Sequence, residues 1–168
     1  MIQFVPKEGF FSKMPSHISL VLSAAWSFGE PHHTTLDGRT FTFNGHGEYV
    51  LAQLASKFTI QCRTERPQRS DGSFTRATVI SAIVVRGDNS MLQVELDNDK
   101  TGLIVLAGGG NVLDDYSIDF RGMNGPISLG NDLMLDNTDE TLVATFGNGT
   151  YQCTANLSKI KARLLTFS

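Results

Sequence analysis

The sequence predicts an all-β protein, an antiparallel β-sandwich or curled sheet of about ten strands. Three observations carry this. Apolar and polar residues alternate with period two in several separate runs. Turn-forming pairs punctuate those runs: Asn44-Gly45, Asp71-Gly72, Gly87-Asp88, Asn98-Asp99, Asn124-Gly125 and Asn148-Gly149. No long segment shows a helical period.

Residues 1–25 carry no sustained strand or amphipathic pattern. They are expected to form a poorly ordered, loosely attached segment open to proteases. Ile18 to Phe28 is apolar and follows Lys7 and Lys13, a faint likeness to a secretory leader. Its apolar centre, Ile18 to Leu22, is short for that role, so a truncated or mis-spliced beginning is an equal reading. A boundary falls near Ala25–Trp26, and one domain covers 26–168.

Within that domain Phe41 and Phe43 alternate with Thr40 and Thr42. Phe58, Ile60 and Cys62 alternate with Thr59, Gln61 and Arg63. Leu92, Val94 and Leu96 alternate with Gln93 and Glu95, and Ile160, Ala162 and Leu164 with Lys159, Lys161 and Arg163. Each run reads as a half-buried strand. Ala77 to Val85 is β-branched and nearly all apolar, which predicts a central strand covered on both faces. Phe41, Phe43, Ile60, Val79, Ile83, Val94 and Leu164 are the expected core.

The chain has 168 residues, enough for one domain with its own core. With 14 basic against 17 acidic residues it lacks the basic excess that a nucleic-acid partner requires. Arg63, Arg66 and Arg69 read as a solvated loop rather than a phosphate site. No apolar run approaches the roughly 20 residues that cross a bilayer as a helix. Two cysteines, Cys62 and Cys153, are too few for a disulfide framework. They read either as two small buried apolar residues or as one bridge between neighbouring strands.

The densest motif is Gly29-Glu30-Pro31-His32-His33-Thr34-Thr35-Leu36-Asp37-Gly38, followed by Thr40-Phe41-Thr42-Phe43-Asn44-Gly45-His46-Gly47-Glu48-Tyr49-Val50-Leu51. It resembles the opening of a von Willebrand factor type D (VWD) domain, G-D-P-H-x-x-T-x-D-G then x-[FY]-x-F-N-G-x-G-E-[FY]-x-L. Phe58 to Glu65, Leu92 to Leu96, Thr101 to Val105 and Ala144 to Gly149 resemble the subgroup of cell-surface proteins in which VWD follows an AMOP domain and often precedes a sushi domain. The resemblance covers residues 26–168 and then stops. A Gly-Leu-Leu-Gly segment and an Asn/Asp-rich loop continue the family beyond this point, so the domain is expected to be truncated at its C-terminal end.

The resemblance implies a non-enzymatic extracellular adhesion or scaffold module, a fragment of a membrane-anchored surface protein. Its implied partners are extracellular or cell-surface proteins. The alternatives are a secreted lipid-carrier or mucus-type component, or an autoproteolytic module cleaving at Glu30-Pro31. Low cysteine content argues against the mucus type. Self-cleavage in the family breaks Asp-Pro through a five-membered anhydride, with the neighbouring His, here His32, managing the proton. Glu30 would need a six-membered ring and one more frozen rotor, so this chain is expected to stay intact.

The family's calcium ion is held partly by the Asp of T-x-D-G, here Asp37. Calcium takes six to eight oxygens, and the other ligands would lie in the missing loop. No cofactor is therefore expected in this chain, with calcium reserved for a full-length parent. Asp97-Asn98-Asp99-Lys100-Thr101-Gly102 imitates an EF-hand start, but Gly108 stands where the bidentate Glu belongs, so it reads as a hairpin turn. His32, His33 and His46 do not read as a zinc site, because adjacent strand residues point to opposite faces. No Ser has the glycine setting of a nucleophile elbow. Asn148 and Asn156 begin glycosylation sequons.

Overall fold

Alternation becomes burial most directly in Phe58–Glu65. Phe58, Ile60, Cys62 and Thr64 are buried, while Gln61 and Arg63 face out. The computed structural model describes residues 2–6, 25–28, 31–35, 37–54, 58–97, 103–109, 113–116, 125–129, 132–138, 141–147 and 151–156. Among them are fourteen strands: β1 (Ile2–Pro6), β2 (Ala25–Phe28), β3 (His32–Thr34), β4 (Thr40–Thr42), β5 (Gly47–Leu54), β6 (Phe58–Glu65), β7 (Val79–Arg86), β8 (Ser90–Leu96), β9 (Leu103–Gly109), β10 (Asp114–Asp115), β11 (Ile127–Leu129), β12 (Leu133–Thr138), β13 (Thr141–Phe146) and β14 (Tyr151–Asn156). The protein is all-β. The strand number exceeds the expected ten because β3, β4, β10 and β11 are two or three residues long, too short to show a period.

Every strand pairing is antiparallel. One sheet runs β11-β12-β13-β14-β1-β2-β3-β4 and the other β10-β9-β8-β7-β6-β5. Their inner faces meet in a single cluster. It joins Phe58, Ile60, Val85, Leu92 and Val105 of the six-stranded sheet to Leu133, Leu135, Leu142, Ala144 and Phe146 of the eight-stranded one. Phe58 and Phe146 meet edge to face, 5.6 Å between centroids, the arrangement ring quadrupoles favour. The two sheets are also tied at one end by Asp132. Its Oδ1 accepts from the Gly147 amide at 2.8 Å, and its Oδ2 accepts from Ser90 Oγ at 2.8 Å. A Cβ on Gly87 would stand 3.0 Å from that Oδ2 and 3.1 Å from both the Phe146 ring and Ser90 Oγ, a tight approach at the turn between β7 and β8.

Ile60, Ile83 and Val94 lie in the core as expected. Phe41 and Phe43 do not: they are 51% and 39% exposed. Phe41 lies on the three-residue edge strand β4 and Phe43 just after it, with no strand beyond β4 among the described residues, so alternation there marks a cleft wall. Val79 is half-buried, and Leu164 lies outside the described residues. β7 is central in its sheet, between β6 and β8; its inner face is closed by the facing sheet at Ile83 and Val85, and on its outer face Ala82 is buried and Val84 half-buried. An antiparallel sandwich covers one face of each sheet. Over the outer face of β7 runs an ion-pair row, with Arg63 bonded to Glu48 at 3.0 Å and near Glu95 at 3.7 Å. Arg63 is thus part of a sheet surface rather than of a solvated basic loop.

The N-terminal expectation is corrected over Ile2–Pro6. These residues form β1, hydrogen-bonded between β14 and β2 with Ile2 opposite both Ala155 and Ser27. Ladders on both sides satisfy backbone groups that a loose segment would leave to water. Residues 7–24 lie outside the described residues. The antiparallel pairing Leu96↔Leu103 agrees with the hairpin reading of Asp97 to Gly102, of which Asp97 alone is described.

Candidate functional site

Where β4 passes into β5 the chain moves from one sheet to the other. The residues that turn this corner are those of the densest motif. Phe43 and Tyr49 meet edge to face at 4.8 Å. Gly45 lies against both rings: a Cβ there would stand 2.3 Å from the Phe43 ring and 2.6 Å from Tyr49 Oη. Gly47 has φ of 140°, a left-handed value that glycine alone adopts readily. Thr64 of β6 donates its hydroxyl to the carbonyls of Gly45 at 2.6 Å and Gly47 at 3.2 Å, and Tyr49 Oη donates to His46 O at 3.1 Å. The N-G-x-G spacing is therefore a packing requirement. Thr64 and Tyr49 belong to this corner although sequence reading assigned them no role. The two-residue glycine spacing was the available signal.

The preceding turn uses Thr35, Asp37 and Gly38. Thr35 N donates to Arg39 O and Gly38 N to Thr35 O, both at 2.9 Å. Gly38 has φ of 80°. Thr35 Oγ1 donates to Asp37 Oδ1, and Arg39 Nε meets Asp37 Oδ2 at 3.1 Å. Both carboxylate oxygens of Asp37 thus serve the turn. Among the described residues no cluster of three or more His, Cys, Asp or Glu forms a metal cage.

Between corner and turn lies an open cleft of about 540 Å³, where β2, β3 and β4 face β5 and β6. That volume is within the range of small-molecule sites. Its walls are mostly apolar. β6 offers alternate residues, Ile60, Cys62 and Thr64, and so presents its inner face. β5 offers every residue from Tyr49 to Gln53, and so presents its edge. A bulge between Val50 and Ala52, with Leu51 the extra residue, bends that edge. His33 stacks on Phe41 at 5.0 Å in the facing wall. Burial, with the neighbouring His32 second, holds its pKa below the usual imidazole value. Ser27 is 5% exposed and lines the cleft, and its hydroxyl has no hydrogen-bond partner among the described residues.

Of the other candidate residues, Pro31 is fully buried and its carbonyl accepts from Phe43 N at 3.0 Å. His32 Nδ1 is 2.7 Å from Thr42 Oγ1. Glu30 and Asn148 lie outside the described residues, and Asn156 ends β14 opposite Thr141. The cysteines do not form a bridge. Cys62 and Cys153 sit on strands of different sheets, both buried with free thiols. Burial pushes Cys62 up to about 11 and Cys153 up to about 12, so both stay protonated and unreactive at neutral pH.

No family model matches the chain. Over 84 residues, 49% of its length, the chain is 43% identical to Sushi domain-containing protein 2 of Homo sapiens, covering 10% of that protein. Over 43 residues, 24% of its length, it is 51% identical to Mucin-4 of Mus musculus, covering 1% of it. Over 86 residues, 48% of its length, it is 34% identical to Protein mesh of Bombyx mori, covering 5% of it. The chain thus spans a tenth or less of the length of these relatives, and is similar to one small part of each.

Proposed function

We propose that the chain is a VWD-type module and acts as a non-enzymatic adhesion or scaffold unit, displayed outside the cell by a membrane-anchored parent. The observation that carries this reading is the 43% identity over 84 residues to Sushi domain-containing protein 2. The corner adds physical support. The motif residues Phe43, Gly45, Gly47 and Tyr49 are spent on rigid packing, as a display scaffold requires. Partners are extracellular or surface proteins. Nucleic acid does not fit a net charge of −3, and no described helix is long and apolar enough to cross a membrane. Catalysis has no part in the proposal, and neither does a bound cofactor. Asp37 holds its turn and Glu30-Pro31 stays uncleaved.

The test is cell binding. The chain is secreted behind an added leader, coupled to beads and offered to epithelial cells. Binding above that of an unrelated β-sandwich is expected. Equal binding, or measurable hydrolase turnover, would overturn the proposal. A gel-mobility change in Asn148→Gln or Asn156→Gln would show passage through the secretory pathway with glycan attached.

A further inference from the structure

The cleft at the open end of the sandwich has two unlike walls and a direction. One wall is the inner face of β2, β3 and β4, where Ser27, His33 and Phe41 stand side by side in one row across the three strands. Exposure rises along that row, from 5% at Ser27 and 8% at His33 to 51% at Phe41. Ser27 therefore marks the deep end and Phe41 the mouth. The other wall is β5 and β6, with Leu51, Ala52 and Ile60. The space of about 540 Å³ is several times the volume of about 150 Å³ at which an apolar cavity takes up benzene.

Charge and hydrogen bonding narrow the chemistry of what fits. Asp37 is the one charged residue among the described residues lining the cleft, and it is 61% exposed with its carboxylate engaged by Thr35 and Arg39. His33 and Cys62 border the space as neutral groups at neutral pH, since burial lowers the imidazole and raises the thiol to about 11. A charged head group entering here would lose its water and meet no counter-charge, which is far more costly than burying a neutral polar group. The Ser27 hydroxyl adds the opposite demand. It is buried without a hydrogen-bond partner among the described residues, although a hydroxyl can donate once and accept twice. Leaving such a group unmatched is unfavourable, and a ligand with one neutral polar group would match it.

We propose that the cleft binds a neutral amphiphile, an apolar chain or ring system ending in one uncharged hydrogen-bonding group, as in a fatty alcohol. The polar group enters first and pairs with the Ser27 hydroxyl at the deep end. The apolar body lies behind it, between the Phe41 ring and the wall formed by Leu51, Ala52 and Ile60. Binding covers the aromatic and aliphatic surface that the two sheets leave open at this end.

The test offers the full chain N-phenyl-1-naphthylamine, a neutral aromatic amine that brightens on leaving water. Saturable binding at a single class of site is expected. Displacement should be about tenfold weaker with octanoate, which carries a charged head, than with 1-octanol, which has the same chain length. No saturable binding, or equal displacement by the two, overturns the proposal. Ala52→Trp puts a ring into the cleft and should abolish dye binding; unchanged binding would place the dye elsewhere and overturn it as well. Ser27→Ala keeps the test decisive if that variant fails to fold. It should weaken displacement by 1-octanol about tenfold, while the ligand-free protein keeps or raises its urea midpoint because the hydroxyl removed had no partner. A lower midpoint would show that hydroxyl already paired within the chain and would overturn the assignment of the polar group. Cell binding enters none of these readouts, so failure here is distinct from failure of the adhesion reading.

Discussion

The two ends of the sandwich are built from the same kinds of residue and end in opposite states. At the end formed by β13 and the β6–β8 hairpins, Phe58, Phe146, Leu133 and Val105 are each under 2% exposed. At the end formed by β4 and β5, Phe41, Phe43 and Val50 are 39% to 55% exposed around an open cleft. Both ends are apolar and both alternate. The difference is what stands across from them: at the closed end a facing sheet, at the open end the gap between two edge strands. An apolar face stabilises the fold only when something covers it.

The largest contrast is expected between Phe146→Ala and Phe41→Ala. The first removes a fully buried ring in contact with Phe58 and should cost about 3–5 kcal/mol by urea denaturation. The second should cost about 1 kcal/mol or less. Equal costs would show that the open end is covered in solution. Next comes Gly45→Ala, whose methyl collides with Phe43 and Tyr49 and should cost about 1–3 kcal/mol. Combining it with Phe43→Ala should recover part of that loss, because the ring it strikes is gone. Asp132→Ala removes the side-chain tie at the closed end, takes from Ser90 its carboxylate acceptor, leaves Gly147 N bonded to the residue 132 carbonyl and should cost about 1 kcal/mol.

The smaller effects are pH-dependent and differ in sign. The buried thiols have pKa values raised from 9.0 to about 11 and about 12. Unfolded thiols lose their protons first, so stability is full below pH 9 and falls as pH rises toward 11. Cys62→Ala should flatten part of that slope in alkaline denaturation curves. His33, at the open end, has a lowered pKa. Its contribution is present above 6.5 and lost as pH falls below it, since the unfolded imidazole takes up the proton more readily. His33→Phe should remove that acid dependence, and an unchanged acid limb would mean that His33 is solvated.

β6 and β8 were legible in the sequence because each is longer than six residues and lies between two partners. Alternation then has one reading, inward or outward. Phe41 and Phe43 alternate as cleanly, yet period two says only that they share a face. The short strands gave no period at all, and β1 pairs with strands its own five residues cannot announce. The motif at the corner was legible as a pattern. Its physical content, a glycine pressed between two rings, needed Thr64 from β6, which no local window contains. The cleft itself was not legible, because it is made of two edges brought together by the topology.

β1 also sets a timetable for the nascent chain. It is made first, yet one of its two neighbours is β14, with Ile2 opposite Ala155 about 150 residues later. At about 5–20 residues per second of synthesis, β1 waits on the order of ten seconds for its partner to emerge. Until then the eight-stranded sheet lacks the joint between β1-β2-β3-β4 and β11-β12-β13-β14, and the edge of β1 that awaits β14 is open to wrong partners. Contacts of such long sequence separation also slow folding.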